Sequence, residues 1–140
     1  MLNVDITDPP SPFSLSSNAG SPDANGDFNL TWTPSNLADN YSLYVYSSLI
    51  TEINGSLTLL LDEVTDLSYE AFDYSDGTYF FAVVAKNENG MTLSNSIEVI
   101  VEIEEPVPAP WISGFEMWTM FFTISSVGLI LLLRKKKKIT

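Results

Sequence analysis

Short stretches in which apolar and polar residues alternate run along the first hundred positions, and turn-forming residues separate them. In one such stretch Phe28, Leu30 and Trp32 alternate with Asn29 and Thr31. A period of two places the apolar side chains on one face of a β-strand. No stretch between Pro9 and Glu105 has a helical period. The pattern predicts an all-β sandwich or barrel, with strands at Phe13–Ser17, Asp27–Thr33, Asn40–Ser48, Ser56–Leu61, Ser68–Phe72, Thr78–Asn87 and Ser94–Ile103.

The same alternation predicts an apolar outer face on the sheet made by the third, sixth and seventh strands. The residues that it points away from the core are Tyr44, Tyr46, Phe80, Ala82, Val84 and Ile100. Exposed apolar patches mark contact sites, and interfaces favour aromatic side chains. We therefore predict a partner-binding surface here, for a neighbouring domain, a second copy or a glycan. The alternatives are scattered surface aromatics, or a strand register displaced by one residue.

Three segments together resemble a fibronectin type III domain. Phe28-x-Leu30-x-Trp32-x-Pro34 is similar to the family's second strand, and Tyr41-x-Leu43-x-Val45 to its third. Gly77-Thr78-Tyr79, followed by Val83, Ala85, Asn87 and Gly90, is similar to its sixth strand and turn. The resemblance covers residues 10–105, after an N-terminal extension at residues 1–9, and residues 17–28 also resemble modules of archaeal cell-surface proteins.

The resemblance implies a seven-stranded immunoglobulin-like sandwich. It implies that Trp32 lies in the core and that Tyr79 is a tyrosine-corner residue, whose hydroxyl caps nearby backbone. Members of the family are mostly spacer, adhesion and binding modules and are rarely catalytic. Because a fold does not determine a function, the resemblance leaves a structural role and a binding role open.

An uncharged apolar run predicts a membrane anchor. Residues 117–133 carry no charge and are followed at once by Arg134 and Lys135–Lys138. As a helix this run is about 25 Å long, at the short end for a membrane span. Positive charges stay cytoplasmic, so we expect a single-pass protein of the cell membrane with its N-terminal domain outside and residues 134–140 inside. The alternative is a buried core helix.

Charge separates the chain into the same two parts. The chain has 140 residues and a net charge of −12. Residues 1–116 hold all 18 acidic side chains and one base, Lys86. All the charged side chains of residues 117–140 are basic. An acidic outer domain is repelled by nucleic acid, so we expect none as a partner. The lipid bilayer is the partner that the anchor implies.

The segment between the domain and the anchor predicts a stalk at residues 106–116. Pro106, Pro108 and Pro110 favour an extended polyproline conformation. Residues 111–116 resemble an archaeal C-terminal sorting signal, with Ser113 in place of a proline, so replacement of the helix by a lipid is an alternative to permanent anchoring. Met1–Asp5 lacks the features of a signal peptide, and we expect further sequence upstream.

Asp23, Asn25 and Asp27 form a candidate calcium site, because they place oxygen side chains at alternate positions and Ca²⁺ takes many oxygen ligands. The alternative is an ordinary polar turn. No other cofactor is expected. The chain has no cysteine and no histidine, which excludes disulfides, zinc sites built on those residues, and Cys–His or Ser–His catalysis.

A second set of polar residues consists of loop carboxylates and glycosylation sequons. Asp62, Glu63, Asp66, Asp73 and Asp76 are close in sequence, but a glycosidase needs two carboxylates in a cleft, and we expect these to be solvated charges. An enzyme is therefore not predicted. The sequons begin at Asn29, Asn40 and Asn54, and all three are expected to be exposed.

Two functions from different classes follow from the sequence. The first is a non-catalytic spacer or lattice element of a cell-surface protein. The second is a binding module for a glycan or a protein that uses the predicted outer face.

Overall fold

The chain is analysed as a computed structural model that describes residues 7–107. The predicted membrane helix, the basic tail and all but the first two residues of the predicted stalk lie outside these residues. Within residues 7–107, no helix is long and apolar enough to cross a membrane.

Residues 7–107 form eight strands rather than the seven that the sequence predicts. The strands are β1 (Leu15–Ser17), β2 (Phe28–Trp32), β3 (Asn40–Tyr46), β4 (Thr58–Val64), β5 (Ser68–Ala71), β6 (Gly77–Asn87), β7 (Gly90–Leu93) and β8 (Ile97–Val101). The fourth strand extends three residues beyond its predicted end. The last predicted strand, Ser94–Ile103, corresponds to β8, and β7 is an additional strand that the sequence did not predict.

Three strands form the first sheet, in the order β1-β2-β5. All pairs are antiparallel, with Leu15 opposite Trp32 and Phe28 opposite Ala71. The central strand β2 shows the predicted alternation without exception, since Phe28, Leu30 and Trp32 are buried and the residues between them are exposed. The outer face of this sheet is accordingly polar.

The second sheet has the order β4-β3-β6, and both β7 and β8 pair with β6. The side chain of Ser94 explains the break between β7 and β8. The Val83 N–H donates to Ser94 Oγ (2.9 Å), and the Ser94 N–H donates to the Val83 carbonyl (2.8 Å). Since a hydroxyl replaces a backbone acceptor of the ladder, the pairing with β6 is interrupted at this point.

The core lies between the inner faces of the two sheets. Its buried members are Leu15, Phe28, Leu30, Trp32, Tyr41, Leu43, Ala71, Phe81, Val83, Ala85, Val99 and Val101. Aromatic rings join the sheets, with ring centroids 6.1 Å apart for Trp32 and Tyr41 and 5.7 Å apart for Phe28 and Phe81. Residues 7–107 therefore form an all-β sandwich with the immunoglobulin-like arrangement of fibronectin type III folds.

The chain enters and leaves this sandwich at opposite ends of β6. Near the entrance, Asn87 at the end of β6 donates its Nδ2 to the Asp8 carbonyl (2.9 Å). Near the exit, the Ile103 N–H donates to Asp76 Oδ1 (2.8 Å), just before β6 begins at Gly77. A strand as long as β6, with 11 residues, spans about 35 Å, so the two connections are separated by the length of the domain.

Candidate functional site

The predicted outer face belongs to strands β3, β6 and β8. Strand pairing places Tyr44 opposite Ala82, Tyr46 opposite Phe80, and Ile100 opposite Thr78. Ala82 and Val84 are buried but do not belong to the cluster of residues between the sheets. The alternation therefore points these side chains away from the core, as the sequence predicts.

The prediction that Val84 forms part of an exposed surface is wrong. Val84 is 1% exposed and Ala82 is 0% exposed, whereas Tyr44, Tyr46, Phe80 and Ile100 are half-buried. The segment after β3 is joined to the loop before β8, because the Ile50 N–H donates to Ser96 Oγ (3.2 Å). Ile50 itself is buried.

A hydrogen-bonded group of three side chains lies further along this face. Ser42 Oγ donates to Asp62 Oδ1 (2.6 Å), and Lys86 Nζ donates to the same oxygen (3.0 Å). The bond from Ser42, and after it the bond from Lys86, hold the pKa of Asp62 below its usual range. Lys86 is the only basic residue in positions 1–116, and its charge is thus used within the domain.

The proposed calcium ligands each accept a hydrogen bond from a backbone N–H group, from their own loop for Asp23 and Asn25 and from another loop for Asp27. Asp23 is buried, and its carboxylate accepts N–H groups of Gly20 (3.2 Å), Asn25 (3.2 Å) and Gly26 (2.8 Å). Burial raises the pKa of Asp23, but the backbone hydrogen bonds outweigh it and leave that pKa below its usual value.

The other two candidate ligands are engaged in the same way. Asn25 Oδ1 accepts the Asp27 N–H (2.9 Å), and Asp27 Oδ1 accepts the Asp73 N–H (3.0 Å). Across residues 7–107, no group of three or more acidic side chains is arranged to hold a metal ion. Asp23 and Asn25 therefore cap backbone N–H groups of this turn, and Asp27 caps one in the loop before β6.

The loop carboxylates do not meet in one place. Asp62 and Glu63 lie in β4, and Asp62 bonds to Lys86 at the far end of β6. Asp73 and Asp76 lie between β5 and β6, beside the near end of β6. The length of β6 therefore separates the two groups, so they do not form a pair across a cleft.

The sequons differ in exposure, although all three were expected to be exposed. Asn29 and Asn54 are exposed. Asn40 is half-buried, and its Oδ1 is buried without a hydrogen-bond partner among residues 7–107. The expectation is wrong for Asn40 because β3 lies between β4 and β6, with neighbours on both edges.

Trp32 and Tyr79 are the two residues that the resemblance assigns to the structural core. Trp32 is 5% exposed and packs between the sheets, although its Nε1 has no hydrogen-bond partner among the described residues. The Tyr79 hydroxyl donates to the Ser75 carbonyl (3.0 Å). Its ring meets that of Tyr74 edge-on, with centroids 4.8 Å apart.

Sequence reasoning missed the path of the segment after β3. Residues 49–55 show neither a strand nor a helical period, and the predicted third and fourth strands lie on either side of them. Ile50 was the available signal, because a β-branched apolar residue in a polar loop tends to be buried. Its burial changes which part of the outer face is accessible.

Neither the scan against protein-family models nor the search of curated proteins found a match. Among solved structures, the chain is similar to an Fn3-like protein from Clostridium thermocellum, with 22% identity over 72% of this chain and 97% of that chain and a TM-score of 0.45. It is similar to the structure called FN3tt, with 20% identity, 69% and 95% coverage and a TM-score of 0.46. It is also similar to the fn3 domain of human contactin 1, with 13% identity over 73% of this chain and 83% of that chain and a TM-score of 0.46.

Proposed function

We propose that this chain is the membrane-proximal part of a cell-surface protein, in which the sandwich is a non-catalytic spacer between upstream sequence and a C-terminal membrane anchor. The observation that carries this proposal is the position of the two chain connections. They lie at opposite ends of β6, so the domain adds about 35 Å of length to whatever it joins.

Both connections are fixed to the sandwich, as a spacer requires. At the entrance, Asn87 Nδ2 also donates to the Leu37 carbonyl (2.9 Å), and Thr92 Oγ1 donates to the Pro10 carbonyl. At the exit, the Glu102 N–H donates to the Asp23 carbonyl (2.9 Å). Because these bonds hold the chain on both sides, the sandwich transmits a defined direction from one connection to the other.

The charge distribution supports an outward-facing domain. The one base of residues 1–116 is neutralised within the sandwich by Asp62, so the surface that remains is strongly acidic. Such a surface is repelled by anionic lipid and nucleic acid. The basic run after residue 133 favours the opposite side of the membrane.

A protease-protection experiment on the full chain, given an added export signal and a C-terminal tag, tests the anchor and its direction. We expect external protease to remove the sandwich and leave a tagged fragment in the membrane. In the control, Arg134 and Lys135–Lys138 are all replaced by serine, and the orientation should become mixed. A sandwich that stays protected in intact cells would contradict the proposal.

A glycan-binding role is the second candidate, and a hollow beside Tyr46 favours it. The hollow measures about 350 Å³ and is lined by Val45, Tyr46, Ser47, Ser56, Thr58, Thr78 and Tyr79. An aromatic ring among hydroxyl groups suits a sugar ring, which needs both an apolar surface and hydrogen-bond partners. A glycan array tests this role. Binding that survives in Y46F and disappears in Y46S would support it, and an array without signal would leave the spacer role.

A further inference from the structure

The turn before β4 presents one sequon to solvent. Asn54, Gly55 and Ser56 are all exposed, and a side chain added at Gly55 would meet nothing within 4 Å. Asn54 Oδ1 accepts the Ser56 N–H (2.9 Å), and the Asn54 carbonyl accepts the Leu57 N–H (3.3 Å). Within residues 7–107, Asn54 Nδ2 makes no hydrogen bond, so the acceptor nitrogen of this exposed residue has no partner to lose.

The sequon at Asn29 is exposed but lies in the middle strand of a sheet. Asn29 is opposite Glu70 in β5, and Thr31 is opposite Ser16 in β1. The Asn29 N–H also donates to Asn18 Oδ1 (2.7 Å). A transferase that grips the peptide backbone would have to break these bonds, each of which adds to stability. This site is available only before the sheet has formed.

The sequon at Asn40 is closed in the folded domain. Asn40 is half-buried, and the hydroxyl of Ser42, the third residue of the sequon, is engaged by Asp62. Ser42 is 0% exposed. The Ser42 hydroxyl is therefore inaccessible to an enzyme, and Asn40 is only partly accessible.

A second observation concerns the strand that follows the Asn54 turn. Among residues 7–107, strand β4 pairs only with β3, and no described strand pairs with its other edge, which could pair with another chain. In the second half of β4, the charges of Asp62 and Glu63 oppose pairing with another strand. Thr58–Leu61 contains no charge, and Leu59 is 45% exposed. Leu49, on the connection from β3, is 59% exposed. This uncharged half of β4 begins four residues after Asn54.

We infer that Asn54 is the acceptor of an N-linked glycan in the folded protein, and that this glycan covers the apolar half of the β4 edge. In the transfer, Asn54 Nδ2 bonds to the anomeric carbon of a lipid-phosphate-linked sugar. The bond from that carbon to the phosphate oxygen breaks, and the lipid phosphate leaves with the electron pair. A base of the transferase takes the Nδ2 proton. The inference rests on the proposed function, because the chain encounters the lipid-phosphate-linked sugar only when it is exported.

The test uses the full chain with an added export signal, produced in a host that performs N-glycosylation. Intact mass and glycosidase digestion report the glycan. S56A removes the sequon but keeps Asn54 and its turn, and S56T keeps the sequon. We expect S56A to lose the mass of one glycan, S56T to retain it, and N40Q to change nothing. Retention of the same glycan in S56A, or exported wild-type protein without a glycan, would overturn the assignment.

Protection from external protease, measured on the same cells, separates the two proposals. Exported protein without a glycan overturns Asn54 as acceptor and leaves the surface role intact, whereas protein that is not exported contradicts the surface role. The shielding is tested by size-exclusion chromatography after enzymatic removal of the glycan. We expect self-association to increase and L59K to reverse it, because a charge on an edge strand blocks pairing. If removal of the glycan does not increase self-association, the proposed shielding is overturned.

Discussion

The side chain of Asn95 forms two hydrogen bonds with the backbone of Leu15. The Leu15 N–H donates to Asn95 Oδ1 (2.7 Å), and Asn95 Nδ2 donates to the Leu15 carbonyl (2.9 Å). Leu15 begins β1 in one sheet, and Asn95 lies between β7 and β8 beside the other. One carboxamide therefore takes the place of a strand partner and joins the two sheets along an open edge.

We expect N95A to destabilise the domain by about 2 kcal/mol, since it removes two hydrogen bonds and leaves a strand end unpaired. N95D keeps the acceptor but loses the donor, and its carboxylate faces the Leu15 carbonyl. It should therefore be at least as unstable as N95A at neutral pH. Urea unfolding measures both, with N36A, on an exposed loop, as the control. A change of N95A no larger than that of N36A would show that solvent replaces the carboxamide without loss.

Removal of the Tyr79 hydroxyl should also destabilise the domain, by a smaller amount. Y79F keeps the ring against Tyr74 and removes the bond to the Ser75 carbonyl, together with the longer contact between the Tyr79 and Ser75 hydroxyls (3.4 Å). We expect a loss of about 1 kcal/mol, which is typical of one such hydrogen bond. Y46F is a matched control because the Tyr46 hydroxyl has no hydrogen-bond partner among residues 7–107. Equal stability of the two variants would contradict a stabilising role for the Tyr79 hydroxyl.

The parts of the fold that the sequence predicts are those that depend on local pattern. Phe28, Leu30 and Trp32 face inward as their alternation indicates, because the side-chain period of a strand is a local property. Alternation tells which face a side chain points to, but not what lies on that face. The alternation therefore could not predict that Val84, on the outer face, is 1% exposed.

Side chains that replace backbone partners are the other source of difference. The last predicted strand begins at Ser94, but β8 begins only at Ile97, because the hydroxyl of Ser94 and the carboxamide of Asn95 bond to backbone from distant strands. Asn40 similarly lies at a predicted strand end that its two neighbouring strands enclose. These contacts join residues far apart in sequence, so no short window of sequence contains them.

Gly26 occupies a position that no other residue can take without strain. Its φ is +78°, and an added Cβ would lie 2.2 Å from the Tyr74 carbonyl oxygen. We expect G26A to cost about 3 kcal/mol or more, because both the left-handed backbone and the contact with main chain are unfavourable. G55A, where a Cβ meets open space, serves as the control in thermal unfolding. A similar, small shift in both variants would contradict this explanation.

The buried carboxylate of Asp23 predicts an acid-dependent loss of stability. Backbone N–H groups keep its pKa below the ordinary value of 3.8 in the folded state. The sign follows from linkage: the stabilisation is complete above that value and is lost as the pH falls through it towards the folded pKa. Calcium should leave unfolding unchanged, because the oxygens of Asp23, Asn25 and Asp27 already accept backbone hydrogen bonds.

The comparison of wild type with D23N isolates this contribution from the repulsion among the many other carboxylates. At pH 7 we expect D23N to be less stable by roughly 2 kcal/mol, since neutral acceptors form weaker bonds with backbone N–H groups and the amide NH₂ opposes one of them. At pH 3 the difference should shrink, because below its ordinary pKa of 3.8 the Asp23 carboxyl of the unfolded chain is largely protonated, and this favours unfolding of the wild type. Urea unfolding at both pH values measures the difference, with the exposed Asp66 changed to asparagine as the control. A D23N difference that is the same at both pH values would show that its cause is the shape of the loop and not the charge of Asp23.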